Sequence, residues 1–248
     1  MFNYQEYRDR YSQHVLFYEA GVDNRQKVYD ARVAVVGLGS IGIEAARLLT
    51  IAQVQLLRFI HWENPAGANR QAGSDQVPSP DCLPRGMVAV HALASASPSC
   101  AFEILEATNT DEFQTLLRDV DLVLFSDDGN ERRQLISETC RSLNKPWIYA
   151  EAHGGAGITV NVIPGRTACI DCVKREFESV QPKDQGFVYT STVTDLIART
   201  LSQVQAVEAL RILGDSPNIS SEAFCFDVDK FGHTLQVAKN ESCPSCRR

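Results

Sequence analysis

The stretch VAVVGLGSIG, from Val33 to Gly42, constrains the fold of this chain more than any other part of the sequence. It begins with β-branched apolar residues, continues through three glycines spaced as GxGxxG, and leads into the helix-compatible run SIGIEAARLLTIA. A continuous apolar run of this length is typical of a strand buried on both faces, as in a parallel sheet. The stretch therefore predicts a strand, a tight turn and a helix in direct succession.

The three glycines have separate physical tasks in such a turn. One makes the tight turn, one lets the backbone approach phosphate oxygens, and one lets the helix pack on the sheet. The helix N-terminus adds free N–H groups and a partial positive charge. This context favours a nucleotide site over a purely structural turn. The candidate nucleotide-binding residues are Gly37, Gly39, Ser40, Ile41 and Gly42.

The glycine turn alone does not distinguish NAD from ATP. An NAD site places an acid at the end of the next strand, where it meets the ribose hydroxyls. The next predicted strand, Val54–His61, is followed by Trp62 and then Glu63, which is a slightly displaced candidate for that acid. The residues themselves therefore leave a nicotinamide-dependent oxidoreductase open.

The rest of the chain alternates predicted strands with predicted helices. This alternation indicates βαβ units and a Rossmann-like, doubly wound, mostly parallel α/β sheet. A long helix is expected near Thr192 to Leu213, and the runs AFCFDVD and TLQVAK predict a closing antiparallel pair. We expect a single domain over residues 1–248, with an N-terminal helical arm at about 1–30 and a crossover segment at about 173–190.

Charge and hydropathy argue against nucleic-acid binding, a membrane span and a signal peptide. The net charge of −7 argues against a nucleic-acid-binding surface. No run of about 18 apolar residues occurs, so we expect no membrane span. The first residues, MFNYQEYRDR, lack the apolar core of a signal peptide, and we expect a cytoplasmic location.

Four of the eight cysteines form two CxxC pairs, Cys169/Cys172 and Cys243/Cys246, separated by 70 residues. Two such knuckles supply four thiolates, which complete the closed tetrahedral shell that zinc prefers. A redox CxxC or a chance pairing is the weaker explanation. Because sulfur fills all four positions, the predicted zinc site is structural.

Several motifs together resemble the ThiF/MoeB/HesA family of ubiquitin-activating-like adenylyltransferases. They are, in chain order, RYS, the glycine turn, NRQ, SDDGNERR, CxxC, QAVEALRIL and CxxC. The resemblance covers about Arg10 to Cys246. It implies a homodimer with a Rossmann-like sheet that binds ATP and magnesium. It also implies adenylylation of the C-terminal glycine of a small ubiquitin-like sulfur carrier, with release of pyrophosphate, and a structural zinc.

Some family residues carry over position by position. Arg70 and Gln71 match the RQ pair after the second strand, where the arginine meets the phosphates. Asp128 matches the magnesium-binding aspartate, and Arg85 stands where a phosphate-binding lysine is expected. The resemblance thus implies Arg70, Arg85 and Asp128 as catalytic residues. It places Arg70, Gln71 and Asp128 among the residues that bind the cofactor, and we add Glu63 as the displaced acid after the second strand.

Other positions depart from the family pattern. Gln13 replaces the arginine that reaches into the partner's ATP site, and His61 replaces the acid that holds the ribose. No cysteine lies between Cys172 and Cys225, so the nucleophile found in some members is missing. Any covalent adduct would have to use Cys82 or Cys225.

Three functions therefore stay under consideration. The first is an adenylyltransferase acting on a ubiquitin-like carrier or a peptide C-terminus, supported by Arg70, Asp128 and the intact glycine turn. The second is a degenerate, non-catalytic subunit that serves as a scaffold or as half of a heterodimer, supported by Gln13 and His61. The third is the oxidoreductase, against which the family pattern and Asp128 argue.

Overall fold

Eight strands and eight helices are found in the residues that the computed structural model describes, which are 22–62, 85–97, 99–107, 109–126, 129–153, 155–180, 191–228, 231–240 and 242–247. The elements, in chain order, are α1 (Val22–Asp30), β1 (Arg32–Val36), α2 (Ser40–Ile51), β2 (Leu56–Trp62), α3 (Arg85–Ala96), β3 (Ala101–Ala107), α4 (Thr110–Leu117), β4 (Leu122–Phe125), α5 (Asn130–Ser142), β5 (Trp147–His153), β6 (Ala156–Val162), α6 (Ile170–Val180), α7 (Ser191–Leu213), β7 (Ala223–Asp227), β8 (Phe231–Leu235) and α8 (Pro244–Arg247).

All eight strands belong to one sheet in the order β3-β2-β1-β4-β5-β6-β7-β8. Strands β1 to β5 pair in parallel, and β6, β7 and β8 continue the sheet in antiparallel pairs. The predicted doubly wound sheet with an antiparallel C-terminal portion is confirmed. Strand order reverses between β1 and β4, and doubly wound folds bind their ligands in the crevice at that point.

Helices cover both faces of the sheet, which explains the continuous apolar runs of the central strands. Val33 and Val35 face α2 and α7, whereas Ala34 and Val36 face α4, α5 and α6. All four side chains are at most 3% exposed. A strand covered on both sides has no polar face, so alternation of polar and apolar residues is absent from β1.

The long helix α7 confirms the prediction near Thr192 to Leu213. Its apolar side chains are only partly buried. Ile197 and Leu201 are inaccessible to solvent, whereas Leu196 is 60% exposed. Part of the buried face is polar, since Gln205 and Glu208 also lie inside. The helix packs mainly on β5, β6 and α2.

Strand β8 is displaced from the predicted TLQVAK run and lies at Phe231–Leu235. The register explains the shift: Asp227 pairs with Phe231, and Ala223, the first residue of β7, pairs with Leu235. Residues beyond Leu235 therefore have no partner strand on β7. The predicted arm is helical at Val22–Asp30, and its first 21 residues lie outside the described part. No helix in the described ranges is long and apolar enough to cross a bilayer.

Candidate functional site

The glycine turn lies at the carboxyl end of β1, at the point where strand order reverses. Gly37 has a φ of +105°, and a Cβ atom there would lie 2.8 Å from the backbone of Ser126. A Cβ atom on Gly42 would lie 2.1 Å from the Gly37 carbonyl oxygen. Both positions therefore require glycine, one for its backbone conformation and both for close packing.

Gly39 differs from the other two glycines because nothing lies within 4 Å of the position that its Cβ would take. Its missing side chain leaves open space in front of the turn rather than relieving a contact. Such space lets a bulky ligand approach the backbone closely. Of the three glycines, Gly39 is the one that leaves room for a ligand.

The N-terminus of α2 is suited to an anion. Gly39 is its N-cap, no side chain caps the helix, and the first turn holds no acidic residue. The first N–H groups of a helix have no partner within the helix, and the helix dipole places partial positive charge at this end. Phosphate oxygens satisfy both requirements.

A cleft of about 880 Å³ opens in front of the turn. This volume falls within the range of about 300–1,000 Å³ that is usual for small-molecule sites. Three elements besides the turn form its walls: the ends of β4 and β5 and the first turns of α7. The lining residues are Gly37, Leu38, Gly39, Ser40, Ile41, Ser126, Ala150, Glu151, Ala152, Thr192, Thr194, Asp195 and Ala198.

Ser126 joins the glycine turn to the end of β4. Its hydroxyl donates to the Gly37 carbonyl at 3.3 Å, and its amide donates to the Val36 carbonyl at 3.0 Å. These bonds hold the turn in one conformation before any ligand arrives. A backbone fixed in this way loses little conformational entropy on binding.

Glu151 is the acid that the end of β5 contributes to the cleft. Its Oε2 accepts hydrogen bonds from the Tyr149 hydroxyl and from the Lys174 ammonium on α6. Burial by itself would raise the pKa of Glu151, but these two hydrogen bonds and the Arg133 charge outweigh it and lower the pKa. The pKa of Tyr149 is raised by burial and by the Glu151 charge, so its phenol stays protonated and can donate.

The residues predicted for the nucleotide site are described only in part. The five turn residues, Gly37, Gly39, Ser40, Ile41 and Gly42, all line the cleft or build its floor. Arg85 is the first residue of α3. His61 lies near the end of β2, opposite Glu106. The remaining predicted residues, Glu63, Arg70, Gln71 and Asp128, lie outside the described part, as do Gln13 and Cys82.

The four predicted zinc ligands come together. The Sγ atoms of Cys169, Cys172, Cys243 and Cys246 all lie within 4.8 Å of one another. The distances Cys169–Cys243 and Cys172–Cys246 are both 3.6 Å. A tetrahedron with Zn–S bonds of 2.3 Å has S–S edges of about 3.8 Å, so the four thiols fit a zinc ion.

Local structure helps the second CxxC pair to act as a ligand. Burial disfavours the Cys243 thiolate, but hydrogen bonds from the amides of Cys246 and Ser245 outweigh this effect and lower the pKa of Cys243 to about 7. Arg141 on α5 donates to the Ser245 carbonyl at 3.1 Å, and the Ser245 hydroxyl donates to Asp171 at 2.6 Å. The C-terminal segment is thus attached to α5 and α6 around the cluster.

Sequence reasoning missed the residues that β5 and α7 bring to the cleft, namely Ala150, Glu151, Ala152, Thr192, Thr194, Asp195 and Ala198. One signal was available for Glu151. It closes the run PWIYAE, whose apolar and aromatic residues are typical of a strand. The carboxyl ends of parallel strands share the edge where doubly wound folds bind ligands. No spacing or periodicity in the sequence indicates that Lys174 bonds to Glu151.

Comparison with known proteins assigns this architecture to a family. A model described as the ThiF family matches residues 11–247. The "Sulfur carrier protein ThiS adenylyltransferase" of Escherichia coli (strain K12) is 26% identical over 240 residues, covering 96% of this chain and 94% of that protein. The vegetative HesA protein of Trichormus variabilis is 27% identical over 249 residues, with 96% and 89% covered.

Solved structures share the fold at lower sequence identity. E. coli MccB crystallised with ATP superposes with a TM-score of 0.67 at 18% identity, covering 96% of this chain and 74% of that one. MccB in complex with N-formylated MccA gives a TM-score of 0.71 at 16% identity, with the same coverage. At these identities the likeness extends to the fold alone.

Proposed function

We propose that this chain, which belongs to the ThiF family, is an ATP-dependent adenylyltransferase that activates the C-terminal carboxylate of a ubiquitin-like sulfur carrier or of a peptide. Its relatives include proteins named adenylyltransferases and ubiquitin-like modifier-activating enzymes. One observation of the structure carries the proposal: the open space at Gly39 and the uncapped start of α2 face a cleft of about 880 Å³ at the switch point.

The proposed reaction joins two anions. A carboxylate oxygen of the acceptor attacks the α-phosphorus of ATP, and the bond from that phosphorus to the bridging oxygen of the β-phosphate breaks. Pyrophosphate leaves with the bonding electron pair, and the acceptor remains as an acyl adenylate. The site must therefore supply N–H donors and positive charge around the phosphates.

The chain offers both kinds of group. Backbone amides of the turn and of α2 provide preorganised donors, and Ser126 holds the turn in place. On the family pattern we assign Arg70 and Arg85 to the phosphates and Gln71 to nucleotide binding. Glu63 is assigned to nucleotide binding as the acid that follows the second strand. We assign Asp128 as the ligand of magnesium, which when bound neutralises triphosphate charge.

The cysteine cluster is proposed to hold one structural zinc. Four sulfur ligands leave no position for water or substrate, so the metal has no part in the transfer. We further propose a cytoplasmic homodimer whose acceptor is a protein or peptide. Relatives are named for the carrier ThiS and the modifier SAMP, and MccB is crystallised with MccA.

A non-catalytic subunit is the second candidate, and the departures Gln13 and His61 favour it. Loss of one arginine from a phosphate clamp costs orders of magnitude in rate without abolishing binding. Exchange of labelled pyrophosphate into ATP, measured with candidate carriers and peptides, separates the two. Exchange that depends on an acceptor supports the enzyme, whereas Mg-ATP binding without exchange for any acceptor supports the subunit. Neighbouring genes that encode a small protein ending in Gly-Gly would supply the first acceptor to test.

A further inference from the structure

Glu151 is an unusual residue for a cleft that is proposed to bind a triphosphate, because it places a carboxylate in the wall. Its side chain is 23% exposed, and the side chain of Lys174, which donates to it, is 15% exposed. Lys174 also lies 5.8 Å from the centre of the Tyr149 ring, in a cation–π position. Glu151 is therefore fixed from behind by two residues that do not line the cleft.

The two carboxylate oxygens of Glu151 have different surroundings. Both donors, Tyr149 and Lys174, bond to Oε2. Among the described residues no hydrogen bond involves Oε1, and Glu151 is one of the residues that line the cleft. Oε1 is therefore the oxygen of Glu151 that is left to accept a hydrogen bond from a ligand in the cleft.

The position of Glu151 in the sheet separates it from the phosphate end of the cleft. The glycine turn follows β1, and Glu151 belongs to β5, with β4 between them. Two interstrand spacings amount to about 10 Å. In doubly wound folds the nucleoside lies over the β1–β2 side, so β5 borders the side on which the reacting partner lies.

The charges around Glu151 decide which ligand group it suits. Arg133 and Lys174 place positive charge near the carboxylate but do not line the cleft, and Asp195 is the other acid in the cleft wall. An acceptor's own carboxylate would be repelled by Oε1, whereas an N–H donor would be attracted. The nearest N–H to a peptide's terminal carboxylate is the amide of its last residue.

We propose that Glu151 is a specificity-determining residue that accepts a hydrogen bond from the amide N–H of the acceptor's C-terminal residue. Lys174 and Tyr149 are positioning residues that aim the carboxylate. The inference rests on the proposed function, since it takes the acceptor to be the end of a peptide chain. It adds that the enzyme selects an amide-linked terminus over one without that N–H.

The experiment compares two acceptors that differ in one group. The first is a short peptide with the most active C-terminal residue found in a panel that covers all twenty residues and starts from a Gly-Gly ending. The second is its depsipeptide, in which an ester oxygen replaces the last amide N–H. Pyrophosphate release with Mg-ATP gives kcat and KM for each acceptor.

We expect the wild-type protein to prefer the amide by about tenfold to a hundredfold in kcat/KM, the range for a hydrogen bond to a charged group. Glu151→Ala should lose this preference, and Glu151→Gln should retain part of it. The KM for ATP should change less than the KM for the acceptor. Glu44→Gln is the matched control, because Glu44 is 20% exposed and paired with Arg47 but lies outside the cleft lining.

Lys174 provides a separate test of positioning. Lys174→Met should weaken the preference while zinc content stays at the wild-type level, and Lys174→Arg should restore much of the preference.

Equal activity of wild-type protein on amide and ester would overturn the proposal, as would an unchanged preference in Glu151→Ala. If Mg-ATP binds but no peptide of the panel is turned over, the proposal for Glu151 fails while the nucleotide site stands. If Mg-ATP does not bind, the proposed function itself fails.

Discussion

Gly42 packs so closely on Gly37 that a Cβ atom at position 42 would lie 2.1 Å from the Gly37 carbonyl oxygen. The turn is thereby closed from its helical side, while Ser126 closes it from β4. Gly39, between them, stays open toward the cleft. The three glycines therefore separate into two that build the turn and one that leaves space in front of it.

This separation predicts different outcomes for two alanine substitutions. Gly42→Ala forces a backbone contact and should destabilise the fold by about 1–3 kcal/mol, the usual range for overpacking. Gly39→Ala should cost at most about 1 kcal/mol in the free energy of unfolding, as alanine does at an N-cap, yet weaken Mg-ATP binding at least about tenfold. Urea denaturation and calorimetry measure the two effects. A Gly39→Ala protein that binds Mg-ATP as the wild type does would remove Gly39 from the site.

Zinc should be bound at one ion per chain by the four-cysteine cluster. Cys243→Ser replaces a sulfur that lies 3.6 Å from that of Cys169. Loss of a hydrogen bond to a metal ligand already lowers metal affinity by up to about a hundredfold. Loss of a ligand itself should therefore lower zinc affinity by at least about a hundredfold. The melting temperature should fall as well, since metal binding is coupled to folding. Elemental analysis checks the metal, and Cys140→Ala is the control for zinc content because Cys140 is not one of the four grouped thiols.

The cysteines that the structure describes outside the cluster should not form a covalent intermediate. Cys100, Cys140 and Cys225 are all at most 6% exposed. Burial raises the pKa of Cys225 to about 11 and that of Cys100 to about 12, and thiolates are the reactive form. Iodoacetamide at neutral pH should leave all three unmodified in the native, zinc-loaded protein, as mass spectrometry would show. Labelling of Cys225 at the rate of a free thiol would contradict this. Cys82 lies outside the described residues and stays a prediction from the sequence.

The buried Arg58 should make the stability of the fold depend on acid pH. It is 6% exposed and binds Glu103 at 2.6 Å and Asp119 at 2.5 Å. The hydrogen bond from Arg58 is the largest of the effects that lower the pKa of Asp119. A lowered folded pKa means that the pair stabilises the fold above the unfolded value of about 3.9 and loses this effect as pH falls through the folded pKa.

Asp119→Asn should therefore lower the urea midpoint at pH 7, and the difference from the wild type should shrink below about pH 4. Urea titrations between pH 7 and pH 3 follow the difference. A gap that stays constant across this range would show that the charge of Asp119 does not contribute.

The parts of the structure that the sequence predicted are those set by local pattern. Val33 to Gly42 encode a strand, a turn and a helix within ten residues, and the cysteine pairs use short, fixed spacings. The pairing of Glu151 with Lys174 spans 23 residues and depends on how α6 packs beneath β5. No periodicity in the sequence reports such packing. Strand β8 lies at a different position from the predicted one for a similar reason. Its register is set by β7 rather than by its own residues.

Calorimetry of the zinc-loaded protein with Mg-ATP tests the central claim most directly, with NADH as the competing ligand. The account predicts saturable binding of Mg-ATP, weakened at least about tenfold by Asp128→Ala with zinc content and melting temperature unchanged. It predicts no comparable binding of NADH. No heat of binding at millimolar ATP in a folded, zinc-loaded protein, or tight binding of NADH in its place, would contradict the assignment of an adenylylation site.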